Sequence, residues 1–334
     1  MKITRLGRTG LKVSEICLGT MTFGNQCDEP TSRAIMDKAF EHGVTFFDTA
    51  DVYPLGSTTE TSGRTEEYVG NWLKGRREQI VLATKFASPM GTGPNERGGS
   101  RKHIFQAVEA SLRRLQTDYI DLYQMHFTDY ETPLDETLRA LDDLVHSGKV
   151  RYIGCSNYPA WWLTKALWIS DKLGLARFDS VQPRYNILFR HIEVELLSLV
   201  VDQGIGVISY NPLAGGMLTG RYKAGQSVEK GTRFGLDNAG QLYRDRYWQD
   251  IQMQAVDQLK QVCEDRKVSI IQVALAWVLA QPAITSAIVG ASKPEQLDQS
   301  LPAIDLKLDE QFLKVCDDVW YQLPRERNKD IAYR

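Results

Sequence analysis

The chain is predicted to fold as an α/β protein, a single (β/α)8 or TIM barrel, on three observations. Eight short apolar runs, rich in β-branched and aromatic residues, recur along its 334 residues. Most lack polar alternation, as parallel strands covered on both faces should. Amphipathic helical patterns separate them, and eight strand–helix units of about 30–40 residues favour a closed barrel over a doubly wound sheet.

The strand candidates, in order, are EICLG (15–19), TFFDTA (45–50), IVLATK (80–85) and DLYQMH (121–126). RYIGCS (151–156), DSVQ (179–182), GVISY (206–210) and SAIVG (286–290) complete the set. Helical stretches between them stop at Gly43, Gly148 and Gly174, where glycine tolerates the turn that ends a helix. Pro133 stands just inside another helix start, with Thr132 as its expected N-cap.

Three features lie outside the eight units. Residues 2–15 read as a β-hairpin turning at Arg8-Thr9-Gly10 and closing the barrel floor. Residues 211–250 form a long Gly- and aromatic-rich segment after the seventh strand, of the kind that serves as a lid. Residues 309–334 hold a C-terminal helix and tail, and the whole of 1–334 reads as one domain. No G-x-G-x-x-G follows the first strand; GTG at 91–93 lies in a loop without a helix opening on it. Walker, H-E-x-x-H and G-x-S-x-G motifs are also missing.

Composition narrows the function classes. Hydrophobic residues make up 43% and charged residues 25%, which is too apolar for disorder. Lys+Arg 40 against Asp+Glu 42 leaves no basic excess to attract nucleic acid or an anionic membrane. Cys17, Cys27, Cys155, Cys263 and Cys316 are odd in number, without C-x-x-C or zinc-finger spacing, so no metal site is expected. Free thiols and the lack of N-x-[ST] point to the cytoplasm. Basic residues near the N-terminus leave no room for a signal-peptide core. Residues 268–292 carry no charge, but their polar residues and Pro282 make them a buried helix and strand rather than a membrane span. Oligomeric state is not readable.

In such a barrel, chemistry sits where strands end. Asp48 closes the second strand with Tyr53 five residues on; Lys85 closes the third and His126 the fourth. Taken singly, each has an ordinary explanation as a cap, a solvated charge or a packed ring. Together they suit carbonyl reduction, which creates an alkoxide that needs a proton. Tyrosine is a poor acid at ~10, but a nearby ammonium lowers that value, and Lys85 would supply it. Asp48 would pair with Lys85, and His126 would orient the substrate oxygen.

Asp48, Tyr53, Lys85 and His126, in this order and spacing, resemble the tetrad of the aldo-keto reductase superfamily. The likeness runs from LGTMTFG through DTADVYP to VGASKPEQL. TEEYVGNWLK, SLRRLQTDYIDLYQMH, GKVRYIGCSNY and QPRYNILFR are similar to the branch of potassium-channel β subunits and bacterial Tas-type reductases. The resemblance implies NADP(H)-dependent reduction of a small-molecule aldehyde or ketone, with Tyr53 as proton donor and the cofactor bound without a Rossmann domain. It places Ser156, Asn157 and Gln182 on the carboxamide and Tyr210 against the nicotinamide ring. It places Leu213, Gly215 and Arg221, with Arg233 a further candidate, in the loop over the pyrophosphate. Ser292 and Lys293 would meet the 2′-phosphate and Gln296 the adenosine end. Gln299-Ser300 replaces the family's usual Glu-Asn near the adenine, and no strong Arg stands there, which narrows the margin of NADP over NAD.

Other readings share this barrel. A Schiff-base aldolase would use Lys85 as nucleophile, although a neighbouring Asp48 would keep the amine charged. A regulatory cofactor-binding subunit with slow turnover keeps the same tetrad, and an NAD(P)-dependent sugar dehydrogenase runs the reaction backwards. Phe23, Phe86, Phe127, Tyr158 and Trp161 are the expected pocket aromatics, consistent with small or aromatic aldehydes.

Overall fold

The computed structural model, which describes residues 1–237 and 239–324, opens with an antiparallel hairpin, β1 (Ile3–Arg5) and β2 (Lys12–Ser14). Eight parallel strands follow: β3 (Ile16–Gly19), β4 (Phe46–Asp48), β5 (Val81–Phe86), β6 (Ile120–Met125), β7 (Val150–Ser156), β8 (Ser180–Gln182), β9 (Gly206–Ser209) and β10 (Ser286–Gly290). They pair in chain order, and β10 bonds both β9 and β3, so the sheet closes on itself. These are the eight predicted strands, with ends displaced by no more than two residues.

Helices α1 (Glu29–Glu41), α2 (Arg64–Leu73), α3 (Arg101–Leu115), α4 (Leu134–His146), α5 (Ala160–Leu173) and α6 (Leu196–Gln203) cover the barrel between successive strands. Then come α7 (Gly240–Tyr247), α8 (Asp250–Asp265), α9 (Ile270–Leu279), α10 (Glu295–Ser300) and α11 (Glu310–Tyr321). Gly43, Gly148 and Gly174 all have positive φ where helices stop. The α4 start differs from expectation: Pro133 is the N-cap, and the Thr132 hydroxyl instead donates to Asp129 at 2.6 Å. Asp129 also accepts from the Glu131 and Thr132 amides, so this loop folds around a carboxylate and needs no Thr cap.

Two-residue alternation along the strands sorts the barrel interior into layers. Cys17, Phe46, Ala83, Leu122, Ile208 and Ile288 form one apolar layer, packed from below by Leu6 and Val13 of the hairpin. The hairpin thus closes the floor, fastened by the Arg8 amide donating to the Gly204 carbonyl at 2.7 Å. Two residues further along three of these strands stand Asp48, Lys85 and Gln124, and Gln182 joins them from β8; all four are buried. A polar layer therefore rests on an apolar one.

Segment 211–250 is not a bare loop. It holds short 3-10 helices at Ala214–Thr219 and Arg233–Gly235 and then α7. Tyr222, Phe234 and Trp248 meet with ring centroids 4.9–5.1 Å apart, giving it a small core of its own. The apolar stretch at 268–292 becomes α9 and β10, and no helix among the described residues is long and apolar enough to cross a membrane. All five cysteines are buried and unpaired. Of the C-terminal stretch, α11 is seen; 325–334 lie outside the described residues.

Asp179, just before β8, is half-buried, and burial pushes its carboxyl up to about 6 against the pull of Arg8 and Arg177. The folded chain therefore holds this proton more tightly than the unfolded one. Its contribution to stability is complete below the unfolded value of ~3.9 and is lost as the pH rises through about 6. Asp179→Asn is expected to raise the melting temperature by a few degrees at about pH 8 and to leave it unchanged near pH 4. Thermal melts at the two pH values check this; an equal shift at both would assign the effect to packing.

Candidate active site

The polar layer opens at the C-terminal ends of the strands, and Asp48 is its hub. Its Oδ2 accepts from Lys85 Nζ at 2.6 Å. Its Oδ1 accepts from Gln182 Nε2 at 2.8 Å and Gln124 Nε2 at 3.1 Å. Lys85 Nζ also donates to the Thr49 carbonyl at 2.8 Å and to the Tyr53 hydroxyl at 3.3 Å. Three partners match the three protons of an ammonium, so the buried charge is fully met.

Tyr53 arrives through the chain after β4. The Thr49 and Asp51 amides donate to the Ala83 and Lys85 carbonyls, carrying the segment along β5 until the Tyr53 amide bonds the Ala50 carbonyl. The Tyr53 and His126 rings stand edge to face, centroids 5.9 Å apart. All four predicted tetrad residues are therefore brought together.

Charge states follow from the surroundings. Burial alone would lower Lys85, but Asp48 and Tyr53 outweigh it and hold the amine above its ordinary value. Burial, joined by the charge of Lys85, holds His126 well below the usual imidazole range, so the ring is neutral. Ser88 Oγ lies 3.3 Å from His126 Nδ1, within hydrogen-bond reach of the ring. For Tyr53 the sequence expectation is reversed. Burial raises the phenol by more than Lys85 lowers it, with Asp48 adding to the rise. Tyr53 is thus a protonated phenol at neutral pH.

The predicted cofactor residues divide. Asn157 gathers the mouth: its Nδ2 donates to the His126 carbonyl at 3.0 Å and its Oδ1 accepts from the Tyr210 hydroxyl at 2.9 Å. Ser156 Oγ donates to the Gln182 carbonyl at 2.8 Å. Gln182 is more deeply engaged than expected, since its Nε2 is shared between Asp48 and Gln124. Leu213 and Gly215 sit at the start of the long segment. Gly215 has φ +68°, and a Cβ there would meet the Tyr243 ring at 2.6 Å, so glycine lets that ring pack. The Arg221 guanidinium lies over the Tyr222 ring, and Arg233 over that of Tyr243. After β10, the Ser292 amide donates to Gln296 Oε1 at 2.8 Å, and Lys293 is exposed.

Several expected pocket aromatics belong to the core instead. Phe23, Phe86 and Tyr158 are buried; Phe86 stacks on Tyr123, and the Tyr158 hydroxyl meets Met125 Sδ. Phe127 is 45% exposed and stacks on His126 at 4.5 Å, so it does flank the mouth. Trp161 is exposed too, in a hollow of about 360 Å3 beside Tyr130 and Trp162.

Sequence reasoning missed Gln124 and Ser88. Gln124 was visible as a polar residue on the inward parity of an otherwise apolar strand, between Leu122 and His126. It also missed the cluster joining α2, β5 and α3, where Glu66 accepts from Thr84 at 2.6 Å and from Arg114 at 2.7 Å. Burial, then the charge of Glu66, pushes the Asp51 carboxyl well up.

Comparison with known proteins identifies the family. Residues 15–321 match the aldo/keto reductase family. The chain is 40% identical over 328 residues to the uncharacterized oxidoreductase YrpG of Bacillus subtilis, with 96% of each chain covered. It is 38% identical over 308 residues to a probable voltage-gated potassium channel subunit beta of Arabidopsis thaliana, covering 92% of each. With the protein tas of Escherichia coli it shares 34% over 337 residues, which covers 94% of this chain and 96% of tas. A closed eight-stranded parallel barrel, the polar layer at its mouth and these matches lead to one statement: the chain belongs to the aldo/keto reductase family, in the branch of the channel β subunits and Tas.

Proposed function

We propose that the chain is an NADP(H)-dependent oxidoreductase that reduces small aldehydes or ketones to alcohols, with Tyr53 as proton donor. The observation that carries this reading is the buried ammonium of Lys85, held between Asp48 Oδ2 and the Tyr53 hydroxyl. A charge in that place stabilises negative charge growing on the phenol oxygen as its proton leaves. It also argues against Schiff-base chemistry, which needs a free amine. Absence of a lysine adduct after borohydride treatment with substrate is the matching result.

The residues at the mouth fit a nicotinamide dinucleotide. Ser156, Asn157 and Gln182 offer the mixed donors and acceptors that a carboxamide needs. Asn211 Nδ2, at the foot of the long segment, is buried without a hydrogen-bond partner among the described residues, an open donor next to the candidate pyrophosphate loop. Leu213, Gly215 and Arg221 would hold the pyrophosphate, with 211–250 covering it; Ser292, Lys293 and Gln296 would hold the 2′-phosphate and adenosine, and Tyr210 the nicotinamide face. When bound, the reduced nicotinamide supplies a hydride.

The chain's own groups do the rest. Neutral His126 orients the carbonyl oxygen through its N–H. Tyr53 gives its proton to that oxygen as negative charge develops, and Lys85 steadies the phenolate left behind. Asp48, anchored by Gln124 and Gln182, keeps Lys85 in line. Because Tyr53 is raised by burial, the reduction rate is expected to stay level through neutral pH and fall only on the alkaline side, where the phenol ionises.

Lys293→Ala is expected to weaken NADP(H) binding about tenfold or more, as loss of a phosphate contact should, with NAD(H) unchanged. Titration of both cofactors by fluorescence quenching measures this; equal weakening of the two removes Lys293 from the 2′-phosphate. The reaction itself is tested by initial rates of NADPH and NADH oxidation with methylglyoxal, 4-nitrobenzaldehyde, pyridoxal and glyceraldehyde. Faster NADPH turnover with at least one aldehyde supports the proposal. Tight cofactor binding without turnover would favour a regulatory role or a dehydrogenase.

A further inference from the structure

The outward side of α5 carries Trp161, Lys165, Trp168 and Lys172, at the i, i+4, i+7, i+11 spacing of a single helix face. Trp161 is 54% and Trp168 58% exposed, and two such rings on one face make an apolar patch that calls for a partner. Helix α6 is its neighbour around the barrel. On α6 and the turn leading into it, Val194 is 81% and Val201 68% exposed, and the exposed Glu195 and Asp202 follow each valine.

Two adjacent stripes thus differ in kind. One is aromatic and basic, with Asp171 as the single acid on its helix; the other is aliphatic and acidic. In both, the charges repeat after seven residues, Lys165 to Lys172 and Glu195 to Asp202. Lys165 and Lys172 lie over the rings of their own helix, Trp162 and Trp168, and among the described residues neither forms an ion pair.

The geometry points to an interface between two copies of this chain, related by a two-fold axis between α5 and α6, with α5 of each copy antiparallel on α6 of the other. A two-fold interface must be complementary to itself, so one surface has to carry both halves of the match. Neither stripe meets that condition alone, since lysine would face lysine or acid face acid. Side by side they do. Seven residues along a helix span about 10 Å, and Glu195 stands at the N-cap of α6, so the two ion pairs can register together: Lys165 with Asp202 of the other copy, and Lys172 with its Glu195. Trp168 then falls between the two valines, where its ring is desolvated and acts as the apolar anchor. An anionic lipid surface would attract the Trp–Lys stripe but repel Glu195 and Asp202 beside it, which favours a protein partner.

Sedimentation velocity at tens of micromolar chain tests the proposal. Wild type is expected at twice the 37.8 kDa chain mass. The variants Lys165→Glu/Lys172→Glu and Glu195→Lys/Asp202→Lys should each sediment as single chains, with wild-type circular dichroism. Mixed in equal amounts, these two should form a dimer, because every α5–α6 contact then joins opposite charges. Trp168→Ser, which leaves the charges alone, should weaken the wild-type dimer about tenfold or more. A monomeric wild type, reversal variants that stay dimeric, or a mixture that stays monomeric would each overturn the interface. Retention of wild-type chain on phosphatidylserine vesicles without self-association would transfer the surface to a membrane.

Discussion

Replacing Tyr53 by Phe is expected to lower kcat for aldehyde reduction about 10²–10⁴-fold, the contribution of a positioned proton donor, with NADP(H) affinity little changed. The ring would keep its place beside His126 and lose only the hydroxyl that meets Lys85. The expected alkaline fall in rate should disappear with the hydroxyl, since no phenol remains to ionise. Steady-state rates across pH, with a cofactor titration, separate this outcome from a general loss of structure. A Phe variant with wild-type kcat would remove Tyr53 from the chemistry.

The second large effect is expected from Lys85→Met. Removing the ammonium leaves the Asp48 carboxylate buried with two amide donors, from Gln124 and Gln182, and breaking a buried pair from one side costs about 3–5 kcal/mol. Turnover should fall at least as far as in Tyr53→Phe, because the phenolate formed by proton transfer loses its neighbouring charge. Lys85→Met/Asp48→Asn should recover much of the stability, since no unpaired charge is left, yet stay inactive. Urea unfolding and kcat on both variants check the split. Stability unchanged in the single variant would contradict a buried, fully paired Lys85.

The barrel and the tetrad were legible because each depends on local pattern. Apolar runs of strand length, separated by helical ones, define the architecture, and the residues closing those runs define the mouth. What escaped depends on contacts between strands or on depth. Gln124 matters through Asp48, two strands away, and Ser88 through His126. The direction of the Tyr53 shift could not be read from its neighbours in sequence, because burial competes with Lys85 and only the folded chain reveals which is larger. The misplacement of Phe86 was avoidable. It follows the inward Lys85 directly, so strand alternation points it outward into the helix layer, where it stacks on Tyr123. Segment 211–250 looked structureless because its order comes from scattered aromatics, Tyr222, Phe234 and Trp248, that meet only after folding.

The most direct test of the central claim is product stoichiometry. Purified chain, NADPH and the best aldehyde of the panel are mixed, and cofactor loss and alcohol formed are quantified over the same interval. One alcohol per NADPH consumed, with slower consumption of NADH and none in Tyr53→Phe beyond the residual rate, is the expected result. NADPH retained by the protein without alcohol, whatever the aldehyde, would contradict it and leave a chain that binds the cofactor but does not spend it.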